Sequence, residues 1–324
     1  MKQIALIGAG QIGSRHLQAL SLLDFPADIY VVDPSSTSLL TAKERFSEVV
    51  SPEFRGKVHY AGSMEDMPGA MDAAIVATAA DGRLELVRRL LDHINVQFII
   101  LEKIVFNEIS HFDDARVLLD KAGTIAFVNC ARRMQDIYLD SIKDAFCRAS
   151  VTDFAVEGPR WDIGCNGVHF LDLFSFLSGD IAAELNPAFL EPGTRSSKRK
   201  EYSEFHGSLT GLSGKGALLR LSSLDKTLAP SLRVKILSDE ARAMIDETNG
   251  IAILERRANG WVKNEIPFIL QHQSQLSHIA IQQLIREGKC QLPSLDECVT
   301  NHVELIKALN RHLGLPGNHR CPIT

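Results

Sequence analysis

The feature that most restricts what this chain can fold into is a glycine triplet set between an apolar run and a helical pattern. Ile4-Ala-Leu-Ile7 reads as a buried strand, and Gly8, Gly10 and Gly13 follow in G-x-G-x-x-G spacing. Ile12, Leu17 and Leu20 then recur at the interval of one helix face. Each glycine has its own physical task. Gly8 permits the tight turn, Gly10 lets backbone approach a ligand closely, and Gly13 allows the helix to pack against the strand. A helix that starts here, through Gln11 and Ile12, presents unpaired N–H groups and partial positive charge to an anion.

Three glycines alone can serve only a turn, so context decides. A second apolar run, Ile29-Tyr-Val-Val-Asp33, puts a carboxylate at a strand end twenty positions after Gly13. That is where an acidic group accepts hydrogen bonds from an adenosine ribose, and the whole arrangement predicts a bound dinucleotide. Asp33 could instead form a turn or a helix cap before Pro34. A carboxylate there repels a 2′-phosphate and no arginine follows directly, so NAD is expected over NADP.

Strands and helices alternate onward. Leu39–Phe46 reads as a helix, Lys57–Ala61 as a strand, Asp72–Thr78 as a strand and Gly82–His93 as a helix. Gln97–Glu102, His111–Lys121 and Thr124–Asn129 follow as strand, helix and strand. Near-continuous apolar strands in this order indicate a parallel sheet covered on both faces, a Rossmann doubly wound arrangement over residues 1–130. Ligands in such sheets lie beyond the strands' carboxyl ends. Thr78, Glu102 and Lys103 are therefore candidates beside the glycines.

The pattern then changes. Residues 131–324 read as an α+β domain with a large, mainly antiparallel open sheet. A helix is expected over Gln135–Arg148, a strand over Val151–Glu157, a glycine-rich turn over Gly164–Gly167 and an amphipathic helix over Val168–Gly179. Strand-like segments follow at Phe205–Leu212, Ala217–Ser223, Leu232–Ser238, Ala241–Asp246, Ile251–Glu255 and Trp261–Ile266. Helices at Gln275–Arg286 and Leu295–Leu313 close the chain.

Length and charge narrow the classes. A chain of 324 residues suits two domains, and a net charge of −5 argues against a nucleic acid or an acidic membrane as partner. The six cysteines have no C-x-x-C or zinc spacing, so a metal site is not expected and a reducing, cytoplasmic setting is. The chain enters a strand at once and has no apolar run of spanning length, so a soluble protein without a signal peptide is expected.

Together these residues resemble the glucose–fructose oxidoreductase / inositol dehydrogenase / MocA (Gfo/Idh/MocA) family over essentially the whole chain. The likeness rests on Gly8–Gly13 running into Arg15-His16-Leu17, on Ala77-Thr78, on Glu102-Lys103, on Arg132-Arg133-Met134, and on His169-Phe-Leu-Asp172. It implies an NAD(P)-dependent oxidoreductase acting on a sugar, an inositol or a sugar derivative such as a nucleotide-sugar, assembled as a homodimer or homotetramer through its large sheet. A nicotinamide would rest between the two halves. By resemblance Lys103 is catalytic, an ammonium that stabilises charge on the substrate oxygen as hydride leaves carbon. His169 is the general acid/base, and Asp172, three residues on, orients it or holds a second hydroxyl. Glu102 orients Lys103 or caps the strand. Arg133, Trp161 and Asn166 are candidate substrate contacts, with Trp161 readable equally as a loop residue packed on the core. His16 is expected to pack, and Lys198-Arg199-Lys200 to be a solvated loop or a phosphate grip.

Two positions depart from the family pattern. Ile104 stands where the motif has proline, so a cis bond, costing about 3–4 kcal/mol without proline, is not expected there. Cys165 stands where many members carry an aspartate, which puts a carboxylate proton relay in doubt. Two alternatives therefore stay open: an NAD-binding regulator or sensor without catalysis, and an imine or linear-tetrapyrrole reductase that would not need His169.

Overall fold

The computed structural model describes residues 1–197 and 201–324; the basic run Lys198–Lys200 lies outside the described residues. The first six strands follow the expected apolar runs: β1 (Lys2–Ile7), β2 (Ala27–Val32), β3 (Val58–Ala61), β4 (Ala70–Val76), β5 (Asn95–Leu101) and β6 (Ile125–Val128). Between them run α1 (Gln11–Leu20), α2 (Ser36–Val49), α3 (Arg83–His93) and α4 (Ser110–Ala122). All six strands are parallel, in the order β3-β2-β1-β4-β5-β6. The strand centres are sealed on both faces: Ile4, Leu6, Ala73, Ile75, Ile99 and Leu101 have no exposed surface. The order reverses between β1 and β4, the switch point where a crevice opens beyond the carboxyl ends.

The other sheet is built by a different rule. A π-turn (Tyr138–Ile142) runs into the short α5 (Lys143–Phe146) in place of one regular helix, followed by β7 (Val151–Pro159) and α6 (Ile163–Ser178). Then come β8 (Ala182–Leu190), the small β9–β10 pair (Arg195–Ser196, Ser203–Glu204), β11 (Gly207–Ser213), β12 (Leu218–Leu224), β13 (Arg233–Ser238), β14 (Ala241–Asp246), β15 (Ile251–Arg256) and β16 (Asn264–Pro267). Eight strands stand in the order β16-β15-β14-β13-β7-β12-β11-β8, with β7–β12 the one parallel pairing among those described. Side chains alternate: Ala241, Ala243 and Ile245 of β14 are buried while Arg242 and Met244 are exposed. Helix α6 covers the buried face against β7 and β12, with the Phe154 and Phe174 rings 5.5 Å apart.

Two differences from the sequence expectation have clear causes. Strand β8 carries Asn186 and Pro187, which break a strand pattern, yet it is the sheet's edge, where a missing N–H costs no ladder bond. Its pairing with β11 shifts register at that point, between Ser208 and Thr210. Helix α6 begins at Ile163, so the Gly164–Gly167 segment is helix and not a turn. These glycines serve contact: a Cβ on Gly164 would meet Glu204 Oε2 at 2.9 Å and Ile323 at 3.0 Å, and one on Gly167 would meet Leu305 at 3.4 Å.

The chain does not divide at a single cut. One compact unit comprises Met1–Phe106, Ser110–Ala131 and Gln271–Glu297, the last carrying α7 (Ser277–Glu287) beside α1. The other comprises Asn107–Ile109, Arg132–Leu270 and Cys298–Thr324, with most of α8 (Leu295–His312). Among the described residues, no helix is long and apolar enough to cross a membrane, and none of the six cysteines is in a disulfide.

Candidate active site

In the unit built on the parallel sheet, the glycines do what their spacing requires. Gly8 adopts φ +95°, and a Cβ there would meet Ala77 and Thr78 at 3.1 Å. Gly13 packs so tightly that a Cβ would lie 1.9 Å from the Gly8 carbonyl oxygen. Gly10 is the reverse case: it is exposed, caps α1 without a side-chain bond, and has nothing within 4 Å of a Cβ position. Backbone N–H groups of the first turn, at exposed Gln11 and half-buried Ile12, therefore open onto free space.

Asp33 frames this cradle from the end of β2. Its Oδ2 accepts the Ala9 N–H at 2.7 Å and its Oδ1 the Ser35 N–H at 2.8 Å. It thus forms the turn and also ties that turn to the glycine loop; each oxygen keeps a further lone pair for a hydroxyl. Thr78, after β4, supplies an orphan: its Oγ1 is buried and finds no hydrogen-bond partner among the described residues. An open backbone cradle, an oriented carboxylate and an unsatisfied hydroxyl together fit the diphosphate and ribose of a dinucleotide.

Beyond β5 lies a segment that local patterns did not announce. The Lys103–Ile104 peptide is cis, which corrects the expectation of a trans bond at a non-proline residue. The segment is held by tertiary contacts: the guanidinium of Arg83, buried on α3, donates to the carbonyls of Ile104 at 2.6 Å and Val105 at 2.7 Å. It also donates to those of Glu102 and Thr78, joining the loops after β4 and β5. Lys103 itself is half-buried.

Glu102 is buried in a polar network reaching α1 and α7. Its Oε1 accepts from His16 Nε2 at 2.8 Å and from Asn129 Nδ2. His16 Nδ1 lies 2.7 Å from Ser277 Oγ, and Gln273 bridges Asn129 and Ser277. Burial alone would raise the Glu102 carboxyl, but the His16 hydrogen bond and charge, the nearby Lys103 ammonium and Asn129 together hold it below its ordinary value. His16 does pack, as expected, but as a polar link.

In the other unit the candidate residues are mutually engaged. Asp172, 1% exposed, takes a bidentate pair from Arg133, with Nε to Oδ2 at 2.9 Å and Nη2 to Oδ1 at 2.6 Å. This answers why a carboxylate sits among Phe170, Leu171 and Leu173: a guanidinium neutralises it. Arg132 pairs with Glu247, which also accepts the Tyr138 hydroxyl at 2.6 Å, and lies 4.2 Å over the Phe170 ring. Burial and the Glu247 charge push the Tyr138 hydroxyl up. Trp161 donates to the Ser222 carbonyl at 2.8 Å and sets its ring 5.0 Å from Phe170, so its contacts are those of a residue packed on the core. Asn166 donates to the Trp161 carbonyl at 2.7 Å. Half-buried His169 stands on α6 one turn before Asp172. Arg160 and Asp162, flanking Trp161, both have positive φ, at 37° and 65°, as strained backbone near binding sites often does.

No protein-family model matches the sequence, and no curated protein matches it. Solved structures do share its architecture. An oxidoreductase from Agrobacterium radiobacter, in complex with NAD+, L-tartaric acid and magnesium, aligns over 96% of both chains with TM-score 0.74 and 18% identity. The WlbA dehydrogenase from Bordetella pertussis, in complex with NADH and UDP-GlcNAcA, aligns over 96% of both with TM-score 0.68 and 15% identity. A Gfo/Idh/MocA family oxidoreductase from Vibrio cholerae aligns over 97% of this chain and 98% of its own, with TM-score 0.67 and 18% identity. The fold of this chain is the fold of the Gfo/Idh/MocA oxidoreductases.

Proposed function

We propose that this chain is an NAD-dependent oxidoreductase that moves a hydride between nicotinamide and a secondary alcohol, or the matching ketone, of a sugar or sugar derivative. The observation that carries the reading is Lys103, two residues after the end of β5, at the carboxyl edge of the same sheet whose switch point holds the glycine cradle. Gly8, Gly10, Gly13, the first turn of α1 and Thr78 would hold the dinucleotide, with Asp33 on its ribose. Bound there, NAD supplies the hydride acceptor. Lys103 offers a positive charge to the oxygen that becomes negative, and His169 takes or returns the hydroxyl proton. The ion pair with Arg133 makes Asp172 a positioning residue that anchors the middle of α6. Two proteins of this fold crystallised with NAD+ or NADH, one of them with a nucleotide-sugar, support the cofactor and make nucleotide-sugars the first substrates to try.

The test is a panel of sugars, inositols and nucleotide-sugars with NAD, following absorbance of the reduced cofactor. Lys103→Ala should cut turnover on the responding substrate about 10²–10³-fold while NAD affinity holds. Intact turnover in His169→Ala would favour the imine or tetrapyrrole reductase. The thiol of Cys165 in place of a carboxylate favours a second reading, an NAD-binding sensor: NAD binds, and no substrate reduces it. We further infer a homodimer or homotetramer through the uncovered sheet face, where Leu212, Leu218, Met244 and Ile251 are 43–52% exposed. A monomeric sedimentation mass would overturn it. Six cysteines outside any disulfide support a cytoplasmic setting.

A further inference from the structure

We propose that His16 is a positioning residue for Lys103: its imidazole, braced by Ser277, holds the Glu102 carboxylate in the place from which it fixes the neighbouring ammonium. The inference rests on the reading of Lys103 as the catalytic cation. The geometry is a chain of short contacts that runs from α7 through α1 to Glu102, the residue next to Lys103 in the chain. Ser277 Oγ on α7 meets His16 Nδ1 at 2.7 Å, and His16 Nε2 on α1 meets Glu102 Oε1 at 2.8 Å. All three side chains are sealed, at 4%, 1% and 4% exposure for Ser277, His16 and Glu102. A buried carboxylate keeps its charge only while donors face it, and here they are His16 and Asn129. Arg83 restrains the backbone on both sides of Lys103. The backbone is therefore held by one cation and the adjacent side chain by another donor set, so that Lys103 projects from a doubly anchored dipeptide.

His16 also lies on the helix whose first turn forms the cradle. One imidazole thus ties the cofactor-binding helix, the Glu102–Lys103 strand end and α7 into one unit. Removing the ring leaves Glu102 buried with fewer donors. Its carboxyl then takes up a proton or turns away, and Lys103 loses the negative neighbour that favours its ammonium form.

Competitive acetylation of the full-length protein, read by mass spectrometry, tests this without cofactor or substrate. Exposed Lys57 and Lys121 serve as internal references. His16→Ala should raise the relative rate at Lys103 about tenfold at fixed pH. His16→Gln, which keeps a donor toward Glu102, should restore most of the original rate. An unchanged Lys103 rate in a folded His16→Ala variant overturns the proposal. If His16→Ala does not fold, Glu102→Gln removes the charge at nearly constant shape and must give the same rise; no rise there also overturns it. A substrate panel without turnover would sink the dehydrogenase reading and leave these labelling ratios untouched.

Discussion

The two sheets of this protein prepare for chemistry in opposite ways. Around the parallel sheet the cofactor cradle is made mainly by backbone: Gly8 and Gly13 at a φ value or at distances that side chains forbid, open N–H groups, and carbonyls gripped by Arg83. Around the mixed sheet they are side-chain pairs, Arg133 with Asp172 and Arg132 with Glu247, set where a helix meets strands. At Gly8 and Gly13 the backbone leaves no room for a Cβ. Pair sites tolerate changes of shape but not the loss of one partner.

The largest effect should come from breaking a pair. Arg133→Met leaves Asp172 buried and uncompensated, which should cost about 3–5 kcal/mol by urea unfolding. Adding Asp172→Leu should return most of it, because the charge is then gone. Failure of that recovery would mean the pair is not what organises its unit. Next comes Gly13→Ala, whose methyl collides with the Gly8 carbonyl. It should cost about 3 kcal/mol of stability and weaken NAD binding in titration calorimetry, even though the change is one carbon. A neutral outcome would erase the contrast between the two units.

Asp33→Asn sharpens the comparison further. The amide can still accept from Ala9, but it loses the charge that favours ribose hydroxyls and rejects a 2′-phosphate. NAD should bind about tenfold more weakly, the scale of one charge-assisted hydrogen bond, and NADP should gain in relative terms. The smallest effect is confined to acid. The Glu102 carboxyl is lowered in the folded state, so its contribution is complete above its ordinary value of 4.5 and is lost as pH falls through the folded value. In Glu102→Gln the unfolding midpoint should vary less steeply with pH in that window. An unaltered slope would show that Glu102 is not held ionised.

What could be read beforehand follows the same division. Gly8, Gly10, Gly13 and Asp33 were legible because backbone requirements leave a spaced signature, and continuous apolar runs gave the parallel strands. Strand β8 was not, since Pro187 hides a strand that only an edge position permits. Nor was the first turn of α6, because glycines chosen for contact with Glu204 and Leu305 look like glycines chosen for a turn. The cis Lys103–Ile104 peptide ran against the local rule that a bond before a non-proline residue is trans.

The sequence by itself determined the order of the parallel strands and their helices, the glycine cradle and the acidic residue beside it, because each is a short-range constraint on backbone shape or on which face is apolar. Only the tertiary structure decided the partners of its buried charges. Arg83, His16, Glu102, Arg133 and Asp172 meet groups between 5 and 261 positions away, and in a low-dielectric interior the nearest opposite group, not the nearest in sequence, sets what a charge can do.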